Sequence, residues 1–202
     1  MRALLWVLLC TPLLVQAGPE INIGAMYEYM DGQKSTLLKR VRNMGDTTAF
    51  VKVSVVELVY AEDGSSREHE RYFRVRFEPV LPDQGDGFGL SADESEDYRE
   101  SFSAGVNVLA GYGAILFVRP LSPRYQTDIK QEPERFLVHN NGNATLILDH
   151  FNDCATGGKQ CEVPSKYHVR PGTAREFKKQ AGRAYRFELI EGDKTRKVEI
   201  AG

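Results

Sequence analysis

The residues most able to do chemistry in this chain of 202 are its cysteines and histidines. Cys154 and Cys161 lie close together in sequence, and Cys10 stands alone near the start. A close cysteine pair can close a disulfide or hold a metal with nearby histidines such as His139, His150 or His168. The spacing matches none of the zinc patterns, so the disulfide is the expected chemistry and no metal site is assigned. The fourth histidine, His69, also lacks a companion nucleophile. No Gly-rich phosphate loop leads into a helix, no G-x-S-x-G elbow occurs, and no His-x-x-x-His pair is present. Catalytic constellations therefore do not assemble, and neither an enzyme nor a cofactor is expected.

The compartment follows from the N-terminus. Met1–Ala17 has a basic second residue, an apolar run too short to span a bilayer, and small residues at positions 15 and 17. This pattern predicts a secretory signal peptide cleaved after Ala17. Its removal takes away Arg2 and Cys10, moving the net charge from −2 to −3. Such a charge points to neither nucleic acid nor a membrane surface. The two remaining cysteines would then meet an oxidising environment, which favours their pairing.

The elements that position these residues read as strands. Strand-like runs are Ile21–Met30, Leu37–Arg42, Ala49–Tyr60, Tyr72–Leu81 and Phe102–Val118, then Arg135–His139, Ala144–His150, Tyr167–Val169, Ala174–Lys179, Ala184–Ile190 and Arg196–Ile200. Gly, Asn and Pro turns punctuate them, among them Asn140-Asn141-Gly142-Asn143 and Glu191-Gly192-Asp193. Asn143-Ala144-Thr145 fits a glycosylation sequon but follows an Asn-Gly turn, and is read as part of a hairpin. The acidic stretch 86–100 reads as a solvated long loop with one short helix, Ala92–Arg99. Many short strands with few helical periods predict an all-β protein: two tandem sandwiches, 18–123 and 124–202, joined by a polar, Pro-containing link at Ser122–Pro133.

One strand organises the rest. In Ser101–Pro120 the side chains of Phe102, Ala104, Val106, Val108 and Ala110 alternate onto one face, and a continuous apolar run follows from Gly113. The alternation fits a sandwich strand sitting in its own core, and equally an edge strand that lends apolar side chains to another protein.

Five segments in order resemble the periplasmic chaperones of the chaperone–usher pilus pathway, most closely the alternate (alpha-class) branch. They are INIGAMYEYMDG, KRVRNMGDTTAFVKVSVVELVY, RYFRVRFEPVLP, SAGVNVLAGYGAILFVRP and HNNGNATLILDHFNDC…C. The resemblance implies two immunoglobulin-like domains and a non-enzymatic role in the periplasm, capping pilus subunits and delivering them to an outer-membrane usher. It implies that Phe102, Ala104, Val106, Val108 and Ala110 are inserted into a subunit's open groove, and it leaves room for a self-capping dimer. In the best-known members an arginine and a lysine clamp the subunit's C-terminal carboxylate; the matching positions here hold Tyr27 and Ile115. Lys39, Arg40 and Arg42 are the substitute candidates, with an ordinary solvated cluster as the alternative. Arg119, Glu70 and Glu191 match an interdomain ion network in the family.

The resemblance has a gap. Only Ala61–Arg71 stands where family members carry two further strands, so the first sandwich is expected to lack about two strands and to leave a sheet edge and a core face uncovered. The rival function is a secreted structural or adhesive fimbrial subunit. Such a subunit should lack its last strand, whereas here Arg196–Ile200 reads as complete.

Overall fold

The computed structural model describes residues 19–58, 67–83, 85–103, 109–155 and 157–202. The expected signal peptide and the strand residues Ala104, Val106 and Val108 lie outside the described residues. By contacts the chain divides into two compact units. One runs up to Gly24 and continues through Lys39–Ser54 and Arg76–Gly113; the other comprises Ala25–Leu38, Val55–Val75 and Ala114–Gly202. Several strands of the first half of the chain form one sheet.

That sheet has four strands in the order β2-β6-β5-β4. They are β2 (Tyr27–Met30), β4 (Val51–Leu58), β5 (Arg71–Pro79) and β6 (Tyr112–Val118). Two further short strands, β1 (Ile21–Asn22) and β3 (Arg42–Asn43), pair only with each other. The single strand expected over Ile21–Met30 is thus broken. Gly24 takes φ 66°, and its N–H donates to the Asn22 side chain at 2.8 Å, a turn that extended backbone cannot accommodate.

The first unit holds the one helix of the described residues, α1 (Ala92–Ser103). It is longer than the sequence predicts, for two local reasons. Ser91 and Glu94 form a capping box: the Ser91 hydroxyl accepts from the Glu94 N–H at 3.2 Å, and Glu94 accepts from the Ser91 N–H at 2.8 Å. At the other end the rings of Tyr98 and Phe102, four residues apart, tilt against each other at 4.9 Å centre to centre. Tyr98 also packs edge-on against Phe50, which meets Phe88, and donates its hydroxyl proton to the Thr48 carbonyl. Phe102 is therefore helical rather than the first residue of a strand, and β6 covers Tyr112–Val118 of the expected run.

The second unit contains the larger core. One three-stranded sheet runs β12-β8-β7 and another β10-β9-β13-β14, with β11 also on β9. The strands are β7 (Thr127–Gln131), β8 (Arg135–Asn140), β9 (Leu146–Ala155), β10 (Lys159–Cys161), β11 (Ser165–Val169), β12 (Ala174–Lys178), β13 (Arg183–Glu191) and β14 (Lys194–Ala201). Period-two alternation turns Phe136 and Val138, Leu146 and Leu148, Tyr185, Phe187 and Leu189 into one core with Phe151, Val169 and Ile200.

Three readings of this region change. The segment read as a link contains β7, whose short Thr-Asp-Ile-Lys-Gln run has too little apolar content to stand out. It is a strand because β8 pairs with it residue by residue from Thr127↔Asn140 to Gln131↔Phe136. The turn at Asn140–Asn143 is not a hairpin, because β8 and β9 belong to different sheets. The Asn143 side chain instead accepts from the Arg124 N–H at 2.6 Å and donates to the Glu68 and Ser122 carbonyls at 3.2 Å. Strand β10, too short to read from pattern, is tied to β9 by the Cys154–Cys161 disulfide, the pairing expected from sequence.

Within the described residues β4 ends the sheet order. Its Val53, Val55 and Val56 are 55, 60 and 46% exposed.

Candidate functional site

Strand β2 runs parallel to β6 in a register that sets Tyr27 opposite Ile115 and Tyr29 opposite Phe117. Tyr27 and Ile115 are the residues that stand where the family's clamp is basic. The structure brings the two positions together and leaves the place without charge. Alternation puts Tyr27, Tyr29, Ile115 and Phe117 on one face of the sheet. There Phe117 stacks on His168 at 5.0 Å, and Tyr27 tilts against the same ring at 4.5 Å. Tyr72 meets Phe117 edge-on at 5.5 Å.

His168 and Tyr29 share a hydrogen bond of 2.5 Å between Nε2 and the phenol oxygen. Burial, with Lys166 and Arg175 nearby, pulls the imidazole pKa down to about 4, against an opposing pull from Asp149. Burial likewise pushes the Tyr29 phenol well above its ordinary value. The pair is neutral near pH 7. The sequence offers no signal for this cluster, since His168 sits in an unremarkable strand and Tyr29 is 139 residues away.

The expected three-member ion network has a different internal wiring. Glu70 is buried and accepts at one oxygen from the Tyr72 hydroxyl at 2.9 Å, the Thr145 N–H at 2.8 Å and the Thr145 hydroxyl. Burial pushes its pKa up, while those donors and the Arg119 charge pull the other way. Arg119, nine-tenths buried, lies between two tyrosines, its guanidinium carbon 5.5 Å from the Tyr29 ring and 5.4 Å from the Tyr125 ring. Glu191 instead accepts from the Thr127 hydroxyl at 2.6 Å and faces Arg196 at 3.9 Å. Thr145, read only as part of a sequon, is the buried residue that completes the Glu70 site.

The other predicted residues belong to both units. Lys39, Arg40 and Arg42 belong to the first unit, Arg42 on β3 opposite Asn22. Tyr27 and Ile115 belong to the second. Ala110 is exposed just ahead of β6, and β2 pairs with β6 only from Ile115 onward. Among the described residues no group of three or more His, Cys, Asp or Glu is placed to hold a metal, and no helix is long and apolar enough to cross a membrane.

Immunoglobulin-like sheets with a short strand laid parallel on β6 define an all-β protein of the class that includes the chaperones of chaperone–usher pili. The particular relatives agree. The chain is 24% identical over 213 residues to "Probable fimbrial chaperone EcpB" of Escherichia coli O7:K1, covering 86% of this chain and 89% of that one. It is 26% identical over 203 residues to the protein of the same name from Escherichia coli O157:H7, with the same coverage. Among solved structures it resembles the CupB2 chaperone of Pseudomonas aeruginosa, with a TM-score of 0.55 and 11% identity over 90% of this chain and 100% of that one. It also resembles the class 5 fimbriae chaperone CfaA, with a TM-score of 0.50 and 14% identity over 91% and 100%. No protein-family model matches the chain. The chain is a homologue of fimbrial chaperones and has their all-β immunoglobulin-like fold.

Proposed function

We propose that this protein is a periplasmic, non-enzymatic chaperone that caps pilus subunits and delivers them to an outer-membrane usher, with no nucleic-acid partner. The observation that carries the reading is the partial cover of β6. Among the described residues β2 pairs with β6 only along Ile115–Val118, which would leave the start of β6 to pair with an incoming chain. A subunit that lacks one strand exposes unpaired backbone and an apolar groove. A lent strand satisfies the first, and each valine buried in the second contributes roughly 1.5–3 kcal/mol.

In this reading the donors are Ala104, Val106, Val108 and Ala110. Phe102, held in α1 against Tyr98, would join them only if the last helical turn unwinds on binding. The small alanines underfill a groove, which suits binding that a better-fitting strand later displaces. Lys39, Arg40 and Arg42 are the proposed anchor for a subunit carboxylate, for which guanidinium is the natural partner. Residues 18–123 and 124–202 are the proposed domains, with Arg119 and Glu70 near their junction. Support for the second is a core drawn entirely from Tyr125 to Ile200. A fimbrial subunit is not favoured, because the final strand β14 is complete and pairs with β13 along its length.

The test is co-purification from periplasm with the cognate pilus subunit. Val106→Asp together with Val108→Asp should abolish the complex while leaving the chaperone soluble. An undiminished complex would overturn the reading.

A further inference from the structure

Three stretches of the second unit wall a pocket of about 690 Å³: residues 67–69 ahead of β5, residues 121–124 between β6 and β7, and Asn143 between β8 and β9. Their backbones are tied together. The Leu121 N–H donates to the Arg67 carbonyl at 3.1 Å, and the Asn143 N–H to the Arg124 carbonyl at 3.0 Å. The Asn143 side chain joins all three stretches through its bonds to Arg124, Glu68 and Ser122. Gly142 permits the approach, since a Cβ there would lie 2.1 Å from the Arg124 carbonyl oxygen. The walls are set before a ligand arrives, which lowers the ordering cost of binding.

Donors dominate the lining. Arg67, Arg124, His69 and Ser122 all contribute to it, and each side chain can donate. Neither arginine is salt-bridged among the described residues. Arg67 donates to a neutral acceptor, the Gly32 carbonyl, and the bonds of Arg124 to Asn143 run through its backbone. A carboxylate ligand offers two oxygens in one plane, whereas a phosphate group offers acceptors in several directions and matches the guanidinium fork. Glu68 is the one carboxylate of the lining. It repels an oxyanion that carries no proton, and it can accept from one that keeps a proton, as a phosphomonoester does below its second pKa of about 6. The pocket is far larger than a phosphate group, and Leu121, 49% exposed, gives it an apolar wall along which a carrier can lie.

We propose that this pocket binds a phosphomonoester in its singly charged form, with phosphate oxygens on Arg67 and Arg124, the remaining proton on Glu68 and the carrier along Leu121. The site is independent of subunit capping, because neither the donor residues nor Lys39, Arg40 and Arg42 line it.

The experiment uses the purified full chain and calorimetric titration with glycerol phosphate, with sulfate, and with phosphatidylcholine vesicles with and without phosphatidate. At least one phosphomonoester should bind, and sulfate about tenfold more weakly. Binding of glycerol phosphate alone assigns a soluble ligand, binding of phosphatidate vesicles alone assigns a lipid headgroup, and binding of both shows that the phosphate group is read whatever carries it. Arg124→Met, which keeps the backbone bonds to Asn143, should weaken the phosphomonoester about tenfold or more. Lys194→Met, at an exposed position of β14 outside the pocket, removes the same charge and should change nothing. Glu68→Gln should narrow the difference between phosphomonoester and sulfate. The proposal is overturned if neither phosphomonoester binds, if sulfate binds the unaltered chain as tightly, if Lys194→Met weakens binding as much as Arg124→Met, or if a folded Arg124→Met protein binds unchanged. Should that variant not fold, the comparison with sulfate on the unaltered chain decides alone.

Discussion

The phenol of Tyr29 and Nε2 of His168 meet at 2.5 Å although 139 residues separate them in the chain. The contact joins β2 to β11 inside one compact unit, where burial of the imidazole lowers its pKa and adds to the acid sensitivity of that unit. The imidazole titrates at about 4 when folded and at its ordinary 6.5 when unfolded. Between those values the unfolded chain binds the extra proton, so stability rises with pH there. The contribution is complete above pH 6.5 and is lost as pH falls toward 4. Urea midpoints between pH 7 and pH 4 should therefore fall more steeply for the natural chain than for His168→Gln. Equal slopes would remove His168 from the account.

Glu70 and Thr145 make a second such link, with Tyr72 as third member. Glu70→Ala leaves buried donors without an acceptor and should cost roughly 2–4 kcal/mol. Thr145→Val keeps the N–H and loses only the hydroxyl, so about 1 kcal/mol is expected. If Arg119 and Glu70 act as one electrostatic group, Arg119→Met and Glu70→Gln should be non-additive, while Glu191→Gln should add independently to either. Chemical denaturation of the single and double variants reads all of these.

Helix α1 depends on its first turn. Ser91→Ala removes the hydroxyl that caps Glu94 and should loosen the helix by about 1 kcal/mol. Hydrogen exchange should quicken at amides across Ala92–Ser103 and stay unchanged in β13, which belongs to the other unit. A uniform change in both would mean that the helix opens only with the whole protein.

The Cys154–Cys161 disulfide closes a loop of sequence separation 7 between β9 and β10. A loop that short restricts the unfolded chain modestly, so replacing both cysteines with serine should cost about 2–3 kcal/mol. The loss should appear in thermal melts under oxidising conditions, and added reductant should bring the natural chain down to the variant. A melt insensitive to reductant would show that the bridge does not stabilise the fold.

Much of the architecture was readable from the chain. Alternation and turn residues are local properties, so the strands of the second sandwich, its inward-facing Phe136, Val138, Leu146 and Leu148, and the cysteine pair follow from pattern alone. Family resemblance also located Tyr27 and Ile115 on strands whose register makes them neighbours. Alternation failed where a contact outside the alternating window decides the outcome. Phe102 alternates with Ala104 like a strand residue, yet Ser91 starts a helix eleven positions earlier and Tyr98 holds Phe102 in its last turn. Strand β7 is a strand because β8 supplies its partners.

What the amino-acid sequence determined by itself is therefore the fold class, the pairing of Cys154 with Cys161, and the kinship with fimbrial chaperones. Tertiary structure alone decided that Thr145 completes the Glu70 site, that His168 is held neutral against Tyr29, and that Arg67 and Arg124 line one pocket. The physical reason is that burial and charge environment depend on which distant side chains share a space, and no window of neighbouring residues contains that information.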